Sequence, residues 1–398
     1  VRLIVGGMRI AIAGGGIGGL CLAHGLRKAG MDVEVYERER SRTDRLQGYR
    51  VHINPHGAAA LRECLPERNW QRFERTAGRT GGDGFGFLTE RLTPLLLLDP
   101  KVENHYSASR ITLRQVLLDG LDVRFGKRFE RYEQGDDITL HFADGTTASC
   151  DVLVGADGIR SRVRRQYLPH GGSEDVGIAA VAGKLFLDEH DWVPAELTVR
   201  ANTVVPTGRA GMFLAVHDGL GVTDAEGLLF DNERPYLMWA FAAADLTVHD
   251  GLDLRAEVLR RIARWSPDLR RVVAESPRET ISQWHIRSAR VIDRWTPSRV
   301  TVLGDAVHAM TPMRGVGANV ALRDAQLLTR ELAQGGDPVA AIGRYEAEMY
   351  DYGFAAVRDS LRAARQFADG GPVARTVFKT VLRTASAVPA LKRAMFAG

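Results

Sequence analysis

The chain has 398 residues, 45% of them hydrophobic and 26% charged, with a formal net charge of +4. That length supports two or three folded regions that bury their apolar surface without metals or disulfides. The small charge is carried by scattered basic residues and not by runs, which excludes a nucleic-acid footprint.

The opening stretch is apolar enough to imitate a secretion signal, but Gly14, Gly15, Gly16, Gly18 and Gly19 interrupt it, so it reads as a buried strand and turn. Met8 is a candidate start, with Val1 to Gly7 an upstream extension of open status. Arg9 to Ala13 has the pattern of a fully buried strand, followed by the glycine cluster, an apolar helix from Leu20 to Ala29 and Gly30 as its cap. Val33 to Tyr36 is a second strand, ending on Glu37, which completes a strand, helix, strand unit of the right-handed parallel kind.

Around Asp137 the pattern changes. Ile138, Leu140 and Phe142 alternate with polar residues, Asp144-Gly145 is a hairpin turn, and Val152 to Val154 resumes as a strand, which together read as a small antiparallel meander. From Gly177 to Ile286 there are further strands, at Gly183 to Leu187, Met212 to Val216 and Tyr236 to Ala242, plus a helix around Asp253 to Ala263. A buried strand from Val300 to Leu303 then leads through a turn to a helix from Asn319 to Leu332, and the remainder is mostly helical. No apolar run, the short Leu95 to Leu98 stretch included, approaches the roughly 20 residues that span a bilayer, so stable membrane insertion is not expected. The basic residues between Val373 and Phe396 read as a solvated helix packed on its own domain in preference to a membrane-touching one. Cys21, Cys64 and Cys150 lack both zinc-site spacing and the even count of a disulfide framework, which points to a reducing cytoplasm.

Gly14, Gly16 and Gly19 form GxGxxG between a strand and a helix, with Glu37 18 residues beyond the last glycine. The first glycine permits the tight turn, the second lets backbone approach a pyrophosphate, and the third lets helix pack closely on strand. The anion then sits at the positive end of the helix beginning near Ile17. Glu37 can accept from the two hydroxyls of an adenosine ribose, with Arg38 flanking the adenine. This context predicts dinucleotide binding without separating FAD from NAD. A second site, Gly304-Asp305-Ala306-Val307-His308, precedes Pro312 and the stretch Gly315-Val316-Gly317-Ala318-Asn319. An aspartate ending a buried strand can bond a ribityl hydroxyl, and the amides of Gly317, Ala318 and Asn319 at a helix start can face the pyrimidine end of a flavin.

These two sites, with Ala156-Asp157-Gly158 between them, resemble the class A flavin monooxygenase family, which includes aromatic hydroxylases and tetracycline-inactivating oxygenases. The likeness runs from the first glycine motif to the helices around Tyr345-Glu346. It implies an α/β fold with a discontinuous Rossmann-like FAD-binding domain over residues 1–75, 105–175 and 285–330. A mainly β substrate-binding domain would cover 76–104 and 176–284, and a C-terminal helical region 331–398. The same resemblance puts Asp157 and Gly158 near the FAD pyrophosphate and the nicotinamide donor, and Asp305 at the ribityl and pyrophosphate region. Arg110, in the pattern Arg110, Leu113, Leu117, becomes a helix-start contact to FAD, and Pro312 to Asn319 lies along the isoalloxazine ring. By spacing alone Arg110 reads as a helix-start cation facing water and Asp157-Gly158 as a turn.

The chemistry implied is reduction of FAD by NAD(P)H, addition of molecular oxygen at the flavin C4a carbon, and transfer of the distal oxygen of that hydroperoxide to a small, apolar aromatic or polyketide-like substrate. The result is hydroxylation or epoxidation. No second GxGxxG turn appears, so the donor docks transiently. No general base is evident. Arg50 and His52, just after Gly48, and Met313 and Arg314 are candidates near the flavin. His308 has no second ligand at helical spacing, which leaves a structural hydrogen bond and no metal. Trp192, Trp239 and Trp284 read equally as cavity lining or core. The rival readings are a flavin-dependent halogenase, a same-fold FAD enzyme doing desaturation or non-redox cyclisation, and a cofactor-free prenyl-binding escort protein. The expected assembly is a monomer or homodimer.

Overall fold

Short apolar runs buried on both faces pair best in a parallel sheet covered on two sides. Arg9–Ala13 is such a run, buried from Ile10 onward. The computed structural model describes residues 7–44, 50–79, 84–99, 104–217, 234–249, 251–368 and 370–396. Gly48 lies outside them. Arg9–Ala13 is the central strand of a five-stranded parallel sheet in the order Val300–Val302, Val152–Gly155, Arg9–Ala13, Asp32–Tyr36, Val123–Arg124. The chain leaves the central strand to one side for Asp32–Tyr36 and later returns on the other for Val152–Gly155, and such a switch point opens a crevice beyond the carboxyl ends of the strands.

The placement of Val152–Gly155 corrects the sequence pattern, which groups it with the antiparallel meander. The meander holds Phe129–Gln134, Ile138–Phe142 and Thr147–Cys150, and closes through Gly145 at φ 81°. Every residue of Val152–Gly155 is buried, whereas Ile138–Phe142 buries only alternate positions. A strand apolar on both faces goes to the sheet covered on both.

A second, seven-stranded sheet runs in the order Ser282–Ala289, Ser173–Phe186, Tyr236–Ala243, Ala210–His217, Ala201–Val204, Phe85–Leu88, Pro94–Leu98. Its strands alternate, so its two faces differ. On one face Leu237, Trp239 and Phe241 pack against Val258, Leu269 and Val272 of two helices, Leu254–Arg261 and Pro267–Glu275. On the other, Ile178, Ala180, Ala242 and Ile286 meet Ala364 and Ala368 of the long helix Pro338–Ala368, together with Phe367, Trp284 and Met313. The end of that helix is held by buried Arg375, which donates to the carbonyls of Phe367, Gly370 and Ala210. A cation at a helix C-terminus satisfies both the unpaired carbonyls and the dipole. Beyond it, helix Pro372–Ala387 packs Leu382 and Ala385 on Leu95 and Leu96, so this segment docks on its own chain. No helix among the described residues is long and apolar enough to cross a membrane.

Candidate functional site

Because the five strands are parallel, the turns after three neighbouring ones emerge at one edge: Gly14–Gly16, Ala156–Gly158 and Gly304–Asp305. The three glycines of the first turn divide their work. Gly14 sits at φ 117°, and a Cβ there would lie 2.3 Å from the carbonyl oxygen of Ala156, so only glycine permits the turn to nestle against its neighbour. A Cβ on Gly19 would lie 2.4 Å from the oxygen of Gly14, which requires glycine for the helix to pack on the strand. Gly16 is exposed, and a Cβ there meets nothing within 4 Å. Among the described residues no protein atom demands a glycine at that position, so the open space is where a ligand can approach. Helix Ile17–Lys28 follows directly, with no side chain capping its start. Its first N–H groups have no intrahelical partner and carry the positive end of the dipole.

Glu37 is buried and already engaged. One carboxylate oxygen accepts from Gly15 N–H at 2.6 Å and the other from Glu39 N–H at 2.9 Å. Arg38 beside it is exposed. A residue that the sequence pattern does not single out joins them: Arg114, one helical turn after Arg110 on helix Arg110–Leu118, ion-pairs with Glu39 at 2.8 Å and donates to Gly15 O at 3.0 Å. The only signal available for it was the i, i+4 spacing from Arg110, which puts both on one helix face.

Asp157 directs one oxygen at the N–H groups of Arg162 and Val163 at 2.7 and 3.4 Å. Its other oxygen is buried without a hydrogen-bond partner among the described residues, and burial pushes its carboxyl above the usual range. Asp305 is open to solvent, yet enough protein surrounds it that desolvation also holds its carboxyl high, partly offset by the charges of His308 and Arg110. It follows strand Val300–Val302, at the edge where the switch point of the parallel sheet opens a cleft. The turn presenting it depends on Gly304, at φ 61° and ψ −142°. Beneath, His308 meets Asp324 at 2.7 Å, and the same Asp324 accepts from Gly304 N–H at 2.8 Å and Tyr352 O–H at 2.6 Å. His308 therefore makes a structural hydrogen bond near the motif. Asp324 gave no sign in the sequence, since its partners Gly304, His308 and Tyr352 lie 20, 16 and 28 residues away.

At the far end of the cleft, Pro312, Arg314 and Gly315 are exposed, with Gly315 at φ 61°, and helix Gly317–Ala333 begins with no side-chain cap. The first amides of that helix, from Gly317, Ala318 and Asn319, have no intrahelical acceptor by geometry. The Asn319 side chain is buried and stitches this helix start to strand Arg50–Ile53, accepting from Asn54 N–H and donating to His52 O, both at 2.8 Å. His52 thus lies beside Gly315, and its Nε2 is 3.3 Å from Nδ1 of His105. Arg50 turns to the second sheet, where it donates to Nδ1 of buried His217 at 2.7 Å and to the hydroxyl of Ser107 at 2.6 Å. Met313 packs against the apolar sheet face, and Arg314 beside it pairs with Asp359 at 3.0 Å. Of the three tryptophans, Trp239 is core, bonded to Ser276, and Trp192 bonds Glu275 at the rim of the same core. Only Trp284 lies on the Met313 side.

That side of the sheet is not fully covered. Phe213 and Ala240, and Ala215 and Met238, are cross-strand neighbours and all remain half-exposed, while Met212, Leu214, Trp239 and Phe241, which point the other way, are buried. Along this face small residues, Ala180, Ala182, Ala240 and Ala242 on two strands and Gly211 and Ala215 on the next, surround the larger Phe213 and Met238.

Residues 107–360 match a family described as "FAD binding domain", and residues 12–75 one described as "NAD(P)-binding Rossmann-like domain". The chain belongs to the class A flavin monooxygenase family. Within this family it is 31% identical over 383 residues to the dual O-methyltransferase/FAD-dependent monooxygenase CTB3 of Cercospora beticola, covering 85% of this chain and 44% of that protein. It thus spans less than half of that relative's length. An FAD-containing monooxygenase from Photorhabdus luminescens subsp. laumondii TTO1 superposes with a TM-score of 0.81 at 38% identity, over 91% of this chain and 98% of that one. Klebsiella pneumoniae HpxO, solved with FAD and uric acid, gives 0.79 at 25% identity, over 98% and 97%. FAD is the cofactor of the class A fold, and the three turns at one sheet edge fit an extended dinucleotide.

Proposed function

We propose that this chain is an FAD-dependent monooxygenase that uses NAD(P)H and molecular oxygen to hydroxylate or epoxidise a small, largely apolar aromatic or polyketide-like substrate. When bound, FAD supplies the acceptance of a hydride and the activation of oxygen. The residues of this chain bind, orient and exclude water. The Gly16 turn and the start of helix Ile17–Lys28 take the pyrophosphate, and Glu37 accepts from the adenosine ribose through the lone pairs its two N–H bonds leave free. Asp305, with Arg110, Asp157 and Gly158 nearby, holds the ribityl and phosphate region. Residues Pro312 to Asn319 would lie along the ring, and the uncapped amides at the start of helix Gly317–Ala333 would favour negative charge there.

The observation that carries this reading is the position of Met313. It belongs to the stretch that ends in the Gly317 helix start, and it packs on the half-open, apolar face of the second sheet. The cofactor groove and the substrate floor therefore meet there. An apolar floor would exclude water from the reacting end of the bound cofactor. No second glycine turn of this type exists for the nicotinamide donor, so it docks transiently.

The test is purification followed by a substrate panel. Yellow protein whose NAD(P)H oxidation is stimulated by an aromatic or polyketide compound, with one oxygen atom gained by the product, is expected. A colourless preparation that takes up no FAD, or an Asp305→Ala variant that stays fully flavinylated, overturns the reading.

A further inference from the structure

Between Gly14, which the turn needs, and Gly16, which faces open space, the peptide groups around Gly15 are gripped from two sides. The N–H of Gly15 is held by Glu37 at 2.6 Å and its carbonyl by Nε of Arg114 at 3.0 Å. The loop closes because the Arg114 guanidinium also contacts both acids, Glu39 at 2.8 Å and Glu37 at 3.9 Å, with only 15% of the Arg114 side chain exposed.

A trans peptide is planar, and its carbonyl and N–H point in opposite directions. The carbonyl of Gly15 and the N–H of Gly16 belong to one peptide unit. Holding that carbonyl toward helix Arg110–Leu118 therefore turns the Gly16 N–H away from that helix. A second effect is electrostatic. Glu37 and Glu39 place two carboxylates beside a site that must accept a doubly charged pyrophosphate, and Arg114 is the cation in contact with both. Its sequence neighbour on the same face, Arg110, acts farther along the groove, where its charge reaches Asp305.

We propose that Arg114 is a positioning residue for the adenosine diphosphate end of the cofactor: it sets the Gly15–Gly16 peptide so that the Gly16 N–H faces the pyrophosphate, and it neutralises the acid pair beside it. This rests on the FAD reading given above. It involves no contact of Arg114 with the flavin ring.

The probe is ADP, which carries the adenosine diphosphate half alone, with FAD in parallel, both measured by calorimetry on apoprotein. In Arg114→Met, ADP and FAD are each expected to bind about tenfold or more weakly by the same factor, as loss of a charge-assisted hydrogen bond implies. The reduction potential of the FAD that does bind should match wild type. Arg114→Lys keeps the charge but not the planar fork, and is expected to recover part of the loss. Wild-type affinity of Arg114→Met for ADP overturns the proposal, as does a loss confined to FAD or a shifted potential, which would place the effect at the ring. Should Arg114→Met fail to fold, Arg114→Lys decides: ADP affinity equal to wild type overturns it, and a several-fold loss supports it. If the wild-type protein binds neither ADP nor FAD, the cofactor reading itself falls, an outcome distinct from the others.

Discussion

His308 and Asp324 lie 2.7 Å apart with neither side chain measurably open to solvent, one on the turn that presents Asp305 and the other on the helix that starts at Gly317. Burial alone would lower the imidazole, but the charge and hydrogen bond of Asp324 outweigh it and the net displacement is upward. The pair also fixes Gly304 through its N–H.

Removing one partner leaves the other buried and unmatched, so Asp324→Asn should destabilise the protein by ~3–5 kcal/mol, read by denaturant unfolding. Because the folded value for His308 lies above its ordinary 6.5, the stabilisation is fully present below that pH and is lost as pH rises through the folded value. The gap between wild type and variant should therefore be widest in acid. A gap that widens with rising pH would show His308 to be neutral in the fold.

Glu346 offers the opposite contrast on the same scaffold. It is buried with hydroxyl partners, Thr301 at 2.7 Å and Tyr167 at 3.2 Å, and burial pushes it from 4.5 up to about 7. A raised acid stabilises while protonated: its contribution is complete below about pH 4.5 and fades as pH climbs through about 7. Glu346→Gln should match wild type in acid and exceed it above neutrality by up to ~3 kcal/mol, measured as melting temperature against pH. Equal curves at pH 8 would show the carboxylate to be hydrated.

The two turn glycines should fail differently. Gly14→Ala places a methyl against the Ala156 carbonyl at a φ that disfavours side chains, and should cost ~2 kcal/mol or more of stability. Gly16→Ala meets nothing among the described residues, so the unfolding free energy of the apoprotein should hold within ~0.5 kcal/mol, while FAD affinity drops at least about tenfold. FAD binding of Gly16→Ala at the wild-type level would remove the pyrophosphate from that turn.

Neighbouring residues on one strand should separate stability from turnover. Trp239 is buried with its indole N–H on Ser276, so Trp239→Ala should cost ~3–5 kcal/mol in thermal unfolding. Ala240 faces the half-open side. Ala240→Leu should fold within ~1 kcal/mol of wild type and keep its FAD, but lose substrate-stimulated NAD(P)H oxidation. Undiminished stimulation by a substrate of the native protein would move the substrate off this face.

Arg9 through Glu37 could be read directly because that unit is local: strand, glycine turn, helix and acid fall within a short stretch whose turns and hydrogen bonds are set by neighbours, as in Gly14 N–H to Tyr36 O at 2.8 Å. The Gly304-Asp305 turn was legible as a motif for the same reason. What the sequence could not carry was which distant segments share an edge. Asp157 and Asp305 come to Gly16 only because Val152–Gly155 and Val300–Val302 are buried on both faces and pair in parallel beside the first strand. Period-two alternation showed that the second sheet has two unlike faces. Which one is left half-open, and so why Trp239 is core while Trp284 and Met313 lie on the other face, was decided by the helices that cover the Trp239 side. Arg114 and Asp324 act through groups remote in the chain, and Arg314 pairs with Asp359, 45 residues away. Local patterns determine elements and turns, whereas long-range packing selects which charged side chains meet.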